Sequence, residues 1–312
     1  MNVLSITNMY PCRNSQKGIF VKEINDGLED LNVKVSVLNV DDFGNTPFKY
    51  LRPIPKLVKM LSNISPNVIH VHFGLTFLSL IPLLPVLKIK KIKIIVFFHG
   101  SDVLGDSKFV RSVSYLAAIC SNISIAVSEE IKSKLTGRLT NNRVNITVLP
   151  CGVRNEFFEI DNNPVNFNII FPSSPSRKEK NYEFFVNTFN EIKKVYPEAN
   201  LVVFENLDRK QVKDFLASSK LMLLTSDREG SPQVFKEAMA AGLPVLSRNV
   251  GDVLETSKFS PNAHVARDRD FIEAALKILK SKSNKNFDKK SLFENLSSKS
   301  ICKKIRDISN EC

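Results

Sequence analysis

The strongest constraint in this chain is a pattern that runs twice. Short β-branched and apolar runs alternate with segments of helical period, stop at Pro150-Cys151-Gly152, and begin again. In the first pass Val3–Thr7 reads as a strand. Ile19–Leu31 follows with Ile19, Phe20, Ile24, Leu28 and Leu31 on one helical stripe, and Val33–Val40 reads as a second strand. A basic amphipathic helix at Lys56–Leu61, a strand at Val68–Phe73, a buried helix at Leu75–Leu87 and a strand at Ile92–Phe98 come next. A helix at Lys108–Ser121 and strands at Ile123–Val127 and Val144–Leu149 close the pass. The second pass has strands at Asn168–Phe171, Leu201–Phe204, Leu221–Thr225 and Val245–Leu246, with helices at Asn181–Val195, Arg209–Ser218 and Pro232–Ala241. A polar, lysine-rich linker at Ser281–Ser291 leads into a last helix, about 292–308. Such alternation predicts parallel βαβ units, hence an α/β fold of two doubly wound domains, residues 1–160 and 161–312. The last helix is free to pack back on the first domain.

Length and charge agree with this reading. The 312 residues suit two domains, each able to bury a core. The net charge of +12 is uneven: residues 1–150 contribute +8, and residues 51–100 hold seven basic residues and no acidic one. Basic charge by itself suggests nucleic acid or anionic lipid, but no interleaved aromatic–basic motif supports nucleic acid. Cys12, Cys120, Cys151, Cys302 and Cys312 are odd in number, scattered and without a C-x-x-C pair, which points to a reducing compartment and away from a zinc site. Met1–Pro11 lacks the pattern of a signal peptide, and Val68–Leu87, within the longest uncharged stretch, contains Pro82 and Pro85. The expectation is a soluble, cytoplasmic protein.

The segment most able to carry chemistry is Ser226–Pro244. A strand ends at Thr225, a loop carries Glu229, Ser231-Pro232 offers an N-cap and a first-turn proline, and Gly242 stops the helix. This puts a helix N-terminus at the carboxyl edge of the sheet, where open α/β folds bind ligands and where anions are favoured. Glu229 and Glu237 then either span such a ligand or are solvated charges beside a capped helix. The residues alone leave both readings open.

At this segment the chain resembles a family. EGSPQVFKE and the following AMAAGLPV are similar to the E-x7-E region of retaining GT-B glycosyltransferases of family 4. MYP and KGIFVKE, IHVHFG, FFHGSDV, PSRKEKNYEFF and NVGDVLE follow the family's order, over Met1 to about Leu279, and the first of these resemble bacterial envelope-polysaccharide members. The resemblance implies two Rossmann-like domains facing a central cleft, acceptor on the first and nucleotide-sugar donor on the second. It implies that Glu229 faces the donor sugar, Glu237 holds the ribose, and the backbone of Gly230, Ser231, Pro232, Gln233 and Val234 meets sugar hydroxyls. The family's basic pair on the diphosphate falls on Lys180 and Arg177; the family's usual arginine position is Pro175 here. His99 is implied as a catalytic residue reaching the sugar, and Gly18 lets backbone approach the diphosphate, with Lys17 where the family often has a second glycine.

The activity implied is sugar transfer, with retention, from a nucleotide-diphosphate sugar to a surface-glycan acceptor of the kind that includes lipid-linked saccharides. The alternative is a catalytically silent relative serving as a binding or scaffold subunit. No metal or other cofactor is expected. Asp268-Arg269-Asp270 resembles a metal motif, but Asp270-x-x-Glu273 reads as a capping box opening the helix Phe271–Leu279. His70 and His72 read as structural residues on opposite sides of their strand, poor joint metal ligands. The basic stretch of Arg52, Lys56, Lys59, Lys88, Lys90, Lys91 and Lys93 fits either peripheral contact with an anionic membrane or a solvated cationic face.

Overall fold

The computed structural model describes residues 1–12, 17–137, 144–281 and 288–311. Most of the linker expected at 281–291, and Cys312, lie outside the described residues. The chain forms two compact units, Met1–Cys151 with Ser298–Cys312, and Gly152–Ser297.

The first unit is built on strands β1 (Asn2–Thr7), β2 (Lys34–Asn39), β3 (Val68–His72), β4 (Lys93–Phe98), β5 (Ile123–Ala126) and β6 (Ile146–Val148). They form one wholly parallel sheet in the order β2-β1-β3-β4-β5-β6. Helices α1 (Ile19–Glu29), α2 (Ile54–Ile64), α3 (Leu84–Ile89), α4 (Lys108–Cys120) and α5 (Glu129–Thr136) make the crossovers. Helices on both faces bury the central strands, so β4 is apolar from Ile94 to Phe98, and the polar Ser5 of β1 and His70 and His72 of β3 are buried as well. The helix expected at Leu75–Leu87 is broken into 3-10 turns at Gly74–Ser79 and Ile81–Leu83 before α3 begins. Pro82 and Pro85 lack the N–H groups that a continuous helix would use.

The second unit holds β7 (Asn168–Phe171), β8 (Asn200–Val203), β9 (Leu221–Leu224), β10 (Val245–Ser247) and β11 (Ala263–Val265), again all parallel, in the order β11-β10-β9-β7-β8. Its helices are α6 (Tyr182–Val195), α7 (Arg209–Ser218), α8 (Gln233–Ala241), α9 (Val253–Thr256), α10 (Phe271–Lys280) and α11 (Lys290–Leu296). Two apolar layers flank the sheet, one led by Phe235, Met239 and Leu292, the other by Phe185, Phe189 and Phe271.

The single last helix expected is two. Ser297 bridges Val153 and ends α11, and α12 (Ser298–Glu311) belongs to the first unit, where Ile301 and Ile305 pack with Val3, Leu28 and Ile95. The boundary falls at Cys151–Gly152 rather than at 160. Val153 and Phe157 are buried in the second core, and the Val153 N–H donates to Leu296 O at 2.8 Å.

In both sheets the first strand has its sequence successor on one side and the third strand on the other. Direction therefore reverses between β1 and β3, and between β7 and β9. Loops that leave the carboxyl ends of such a pair diverge and open a crevice, the usual ligand position in open α/β sheets.

Candidate active site

The reversal in the second sheet brings together two loops 49 residues apart in sequence. Lys180 follows β7, Glu229 follows β9, and Lys180 Nζ donates to Glu229 Oε1 at 2.5 Å, with only 12% and 11% of the side chains exposed. Ser226 Oγ donates to the same oxygen at 2.6 Å. The loops are also joined through their backbones: Thr225 Oγ1 donates to Lys180 O at 3.0 Å, and the Asp227 N–H to Glu179 O at 2.9 Å. Asn181, at φ 52°, turns the chain into α6 and ties to Asp227 through its side chain at 2.9 Å. Asn tolerates that left-handed conformation better than most residues. The result is a charge-assisted pair held in a partly dry crevice.

Helix α8 opens beside this pair, but not as expected. Pro232, not Ser231, is the N-cap, and no side chain caps the helix. The Ser231 hydroxyl donates instead to Asp252 Oδ2 at 2.6 Å, and Lys236 Nζ contacts both Ser231 Oγ and, at 2.8 Å, Asp252 Oδ2. Lys236 has no exposed side-chain surface and Asp252 is 5% exposed, so the ion pair is fully interior. It clips the 229–232 loop to the Gly251-Asp252 turn. Gly251, at φ 58°, admits no side chain: a Cβ there would lie 2.6 Å from Gly230 O. Gln233 reaches back to Gly152 O at 3.2 Å, and Val234 packs against the core.

Glu237, on α8, is buried and receives Arg209 Nη1 at 2.8 Å. Arg209 begins α7, behind a capping box of Asp208 and Gln211, and its guanidinium lies 5.5 Å from the Phe157 ring centre. Burial pushes the Glu237 carboxyl above the usual range despite Arg209. Arg177 is not brought to Glu229 or Glu237; it is half exposed and pairs with Glu179 at 2.7 Å.

The capping box expected at Asp270 is absent. Asp270 makes no side-chain cap and pairs with Arg269, while Asp268 is held by Arg248 at 2.7 Å. Among the described residues no group of three His, Cys, Asp or Glu is placed to hold a metal ion. Ser226, Arg209 and the Lys236–Asp252 pair were not found by sequence reasoning. A lysine between Phe235 and Glu237, in a helix buried on all sides, was the available signal, since a buried ammonium needs a carboxylate.

In the first unit His99 follows β4, partly buried between Phe20 and Phe73, each ring 4.8 Å away. His99 Nε2 lies 3.2 Å from His72 Nδ1, so one of the two nitrogens carries the shared proton. Asp102 organises the loops around it, accepting from the N–H groups of His99 and Gly100 through Oδ1 and of Gly74 through Oδ2. Phe73 sits at φ 69°, an uncommon conformation for an aromatic residue, with Gly74 packed against Ser114. Gly18, at φ 79°, caps α1 without a side chain; a Cβ would lie 2.3 Å from Met9 O. His70 and His72, two residues apart on β3, share a face rather than opposing sides, because the side-chain period of a strand is two. Both rings pack on Phe97, at 5.1 and 4.6 Å.

Burial drives these histidines to the neutral form. His70 and His99 are pushed down to about 3 from an ordinary 6.5, and His72 well below it, by desolvation and then by its histidine neighbours. Asp102 is pushed up to about 6 by burial, against its backbone hydrogen bonds. Below pH 6.5 the unfolded chain takes up three protons that the folded chain refuses. Asp102 works the other way, taking a proton earlier when folded. From these four groups stability falls as pH drops from about 6.5 toward 4, with a slope approaching two protons; His264, also lowered by burial, adds to the fall, and Glu237 opposes it. Urea melts at pH 7.5, 6 and 5 measure it; a flat profile would contradict the neutral histidines.

Comparison with known proteins bears on both units. Residues 19–157 match the family model described as Glycosyltransferase Family 4, and residues 186–295 that described as Glycosyl transferases group 1. Each unit thus matches a glycosyltransferase domain model. No curated protein sequence matches the chain. Among solved structures, sucrose-phosphate synthase from Thermosynechococcus elongatus is similar at 12% identity and a TM-score of 0.74, covering 100% of this chain and 99% of its own. HepE of Anabaena in complex with UDP is similar at 13% identity and a TM-score of 0.69, with 100% of each chain covered. UDP-GlcNAc 2-epimerase from Methanocaldococcus jannaschii is similar at 16% and 0.60, covering 99% and 100%. These structures establish the GT-B fold of two Rossmann-like domains. Since an epimerase shares the fold with synthases, the reaction has to be argued from the side chains of the site.

Proposed function

We propose that this chain is a retaining glycosyltransferase that moves a sugar from a nucleotide-diphosphate sugar to a surface-glycan acceptor. The observation that carries the reading is the Lys180–Glu229 pair at the sheet reversal, with buried Glu237 on the helix that follows. Donor binding replaces the internal pairings: Lys180 turns to the diphosphate, Glu229 is released to the sugar hydroxyls, and Glu237 accepts from the ribose. The N–H groups of the 230–234 segment and the positive end of α8 add stabilisation. Arg177 reaches the diphosphate by leaving its exposed partner Glu179, and Gly18 keeps the loop after β1 free of side-chain bulk.

In the reaction the bond from the anomeric carbon to the diphosphate oxygen breaks, giving an oxocarbenium-like sugar. The acceptor hydroxyl attacks from the same face and its proton passes to the departing diphosphate. The negative charge that grows on that leaving group is assigned to Lys180 and Arg177 rather than to a metal ion. His99 is the second candidate catalytic residue, kept neutral by its aromatic surroundings. Exposed Phe48, Leu51, Val58 and Ile89 beside Arg52, Lys56, Lys59 and Lys88 support an anionic membrane as the place where an acceptor is met. No described helix is long and apolar enough to cross one.

HepE was solved with UDP and with UDP-glucose, so uridine donors are the first to test. A thermal-shift panel of UDP, GDP, ADP and their sugars is expected to show one nucleotide raising Tm. Saturation at 100 times Kd adds about 2.7 kcal/mol. If none shifts the melt, the reading fails. A shift with no sugar transfer to any glycan or lipid-linked acceptor would favour the silent binding subunit.

A further inference from the structure

We propose that the amino-terminal edge of the first unit carries a binding site for a phosphate-bearing anion, in an open cavity of about 690 Å3 walled by Lys90, Lys91 and Lys93. Asn67 precedes β3 in its wall and Lys93 begins β4, so the cavity lies at the amino ends of the parallel strands. Gly18, Phe73 and His99 leave the carboxyl ends. The cavity is therefore separate from the crevice of its own sheet.

Three features select an anion. The cavity walls contain no Asp or Glu, and residues 51–100 contain none at all. Among the described residues Lys90, Lys91 and Lys93 form no ion pair, unlike Lys49 with Asp41 or Lys22 with Asp26. The lysines are also gathered by backbone geometry. Lys90 ends α3 with its N–H on Val86 O, and Lys91 turns back at φ 54° with its N–H on Lys88 O. That turn brings three lysines of a four-residue run to the wall of one cavity, which concentrates positive charge there. Asn310 and Ser65 add neutral hydrogen-bonding groups to the wall. Ser309 is spoken for: its hydroxyl donates to Ile305 O at 2.7 Å and accepts from His70 Nε2 at 2.9 Å. Several ammonium point charges around neutral amide and hydroxyl groups suit the oxygens of a phosphate. The volume exceeds that of a bare phosphate and fits a diphosphate or a phosphorylated headgroup.

The test measures binding of inorganic pyrophosphate to the full chain by calorimetry at constant ionic strength, in a Lys180→Gln background so that the proposed donor site does not contribute. In that background, Lys90→Gln/Lys91→Gln/Lys93→Gln is expected to weaken binding about tenfold or more. The charge-matched control Lys108→Gln/Lys132→Gln/Lys134→Gln, on α4 and α5 and outside the cavity, is expected to change it by less than about threefold. Cosedimentation with phosphatidylglycerol vesicles separates the sources. Loss of vesicle binding in the cavity variant alone identifies a lipid headgroup, and pyrophosphate binding with vesicle binding unchanged identifies a soluble phosphate. Equal losses in both variants, or no binding in either assay, overturn the site. Because the donor reading rests on Lys180 and the nucleotide panel, either proposal can fail alone.

Discussion

Glu229→Gln is expected to lower kcat for sugar transfer by about 10²–10³-fold, the cost of removing one group aimed at developing charge in a transition state. The substitution keeps size and leaves Ser226 a partner, so the loop between β9 and α8 retains its course. What it removes is the charge opposite Lys180, 2.5 Å away. In the ligand-free protein this leaves the ammonium without its carboxylate. With donor bound, the diphosphate takes that place, so the defect appears in kcat more than in donor affinity. Lys180→Gln is expected to raise KM for the donor, because the diphosphate loses an ammonium already in the ground state, and to lower kcat as well, because the charge that grows on the leaving group loses it too. Because the two side chains touch, the double variant is expected to lose less than the product of the single losses. Initial-rate kinetics with a radiolabelled donor, checked by matching melting curves, decide this. Transfer by Glu229→Gln within threefold of the parent would end the assignment.

The strands of both sheets were legible because parallel strands covered on two faces are apolar at every position, as in Ile94–Phe98 and Leu221–Leu224. β11 was not read, being three residues long and only partly buried. Leu75–Leu87 was apolar enough for a helix, and there Pro82 and Pro85 outweighed composition. Local capping rules failed where a distant residue competed for the same atom. Ser231 looks like a cap until Asp252, 21 residues on, takes its hydroxyl, and the carboxylates of Asp268 and Asp270 go to arginines instead of a helix end. The candidate site was legible through Glu229, Glu237 and Lys180 because a resemblance marked them. Their partners Ser226 and Arg209 depend on how β7, β8 and β9 are ordered, which no local pattern encodes.

The second large effect falls on a residue inside the EGSPQVFKE segment to which the resemblance assigns no role. Lys236→Met is expected to destabilise the protein by about 3–5 kcal/mol, the range for removing one member of a buried ion pair. Met fills the space of the lysine stem, so loss of packing is minor. The cost comes from Asp252, which is left 3% exposed with Oδ1 already lacking a partner and Oδ2 reduced to the Ser231 hydroxyl. At 2–4 °C per kcal/mol, Tm falls by about 10 °C. Adding Asp252→Asn removes the stranded charge while keeping an acceptor for Ser231, so the double variant is expected to regain more than half of the loss. The recovery discriminates between causes, because a packing defect would persist in the double variant. Activity at a temperature where both variants are folded carries a separate message. Ser231 and Gly230 lie on the loop that the pair clips to Gly251, so Lys236→Met is expected to raise KM for the donor even when folded. If the single variant melts within about 2 °C of the parent, the pair does not hold charge in the interior, and the 229–232 loop is positioned by its backbone contacts alone.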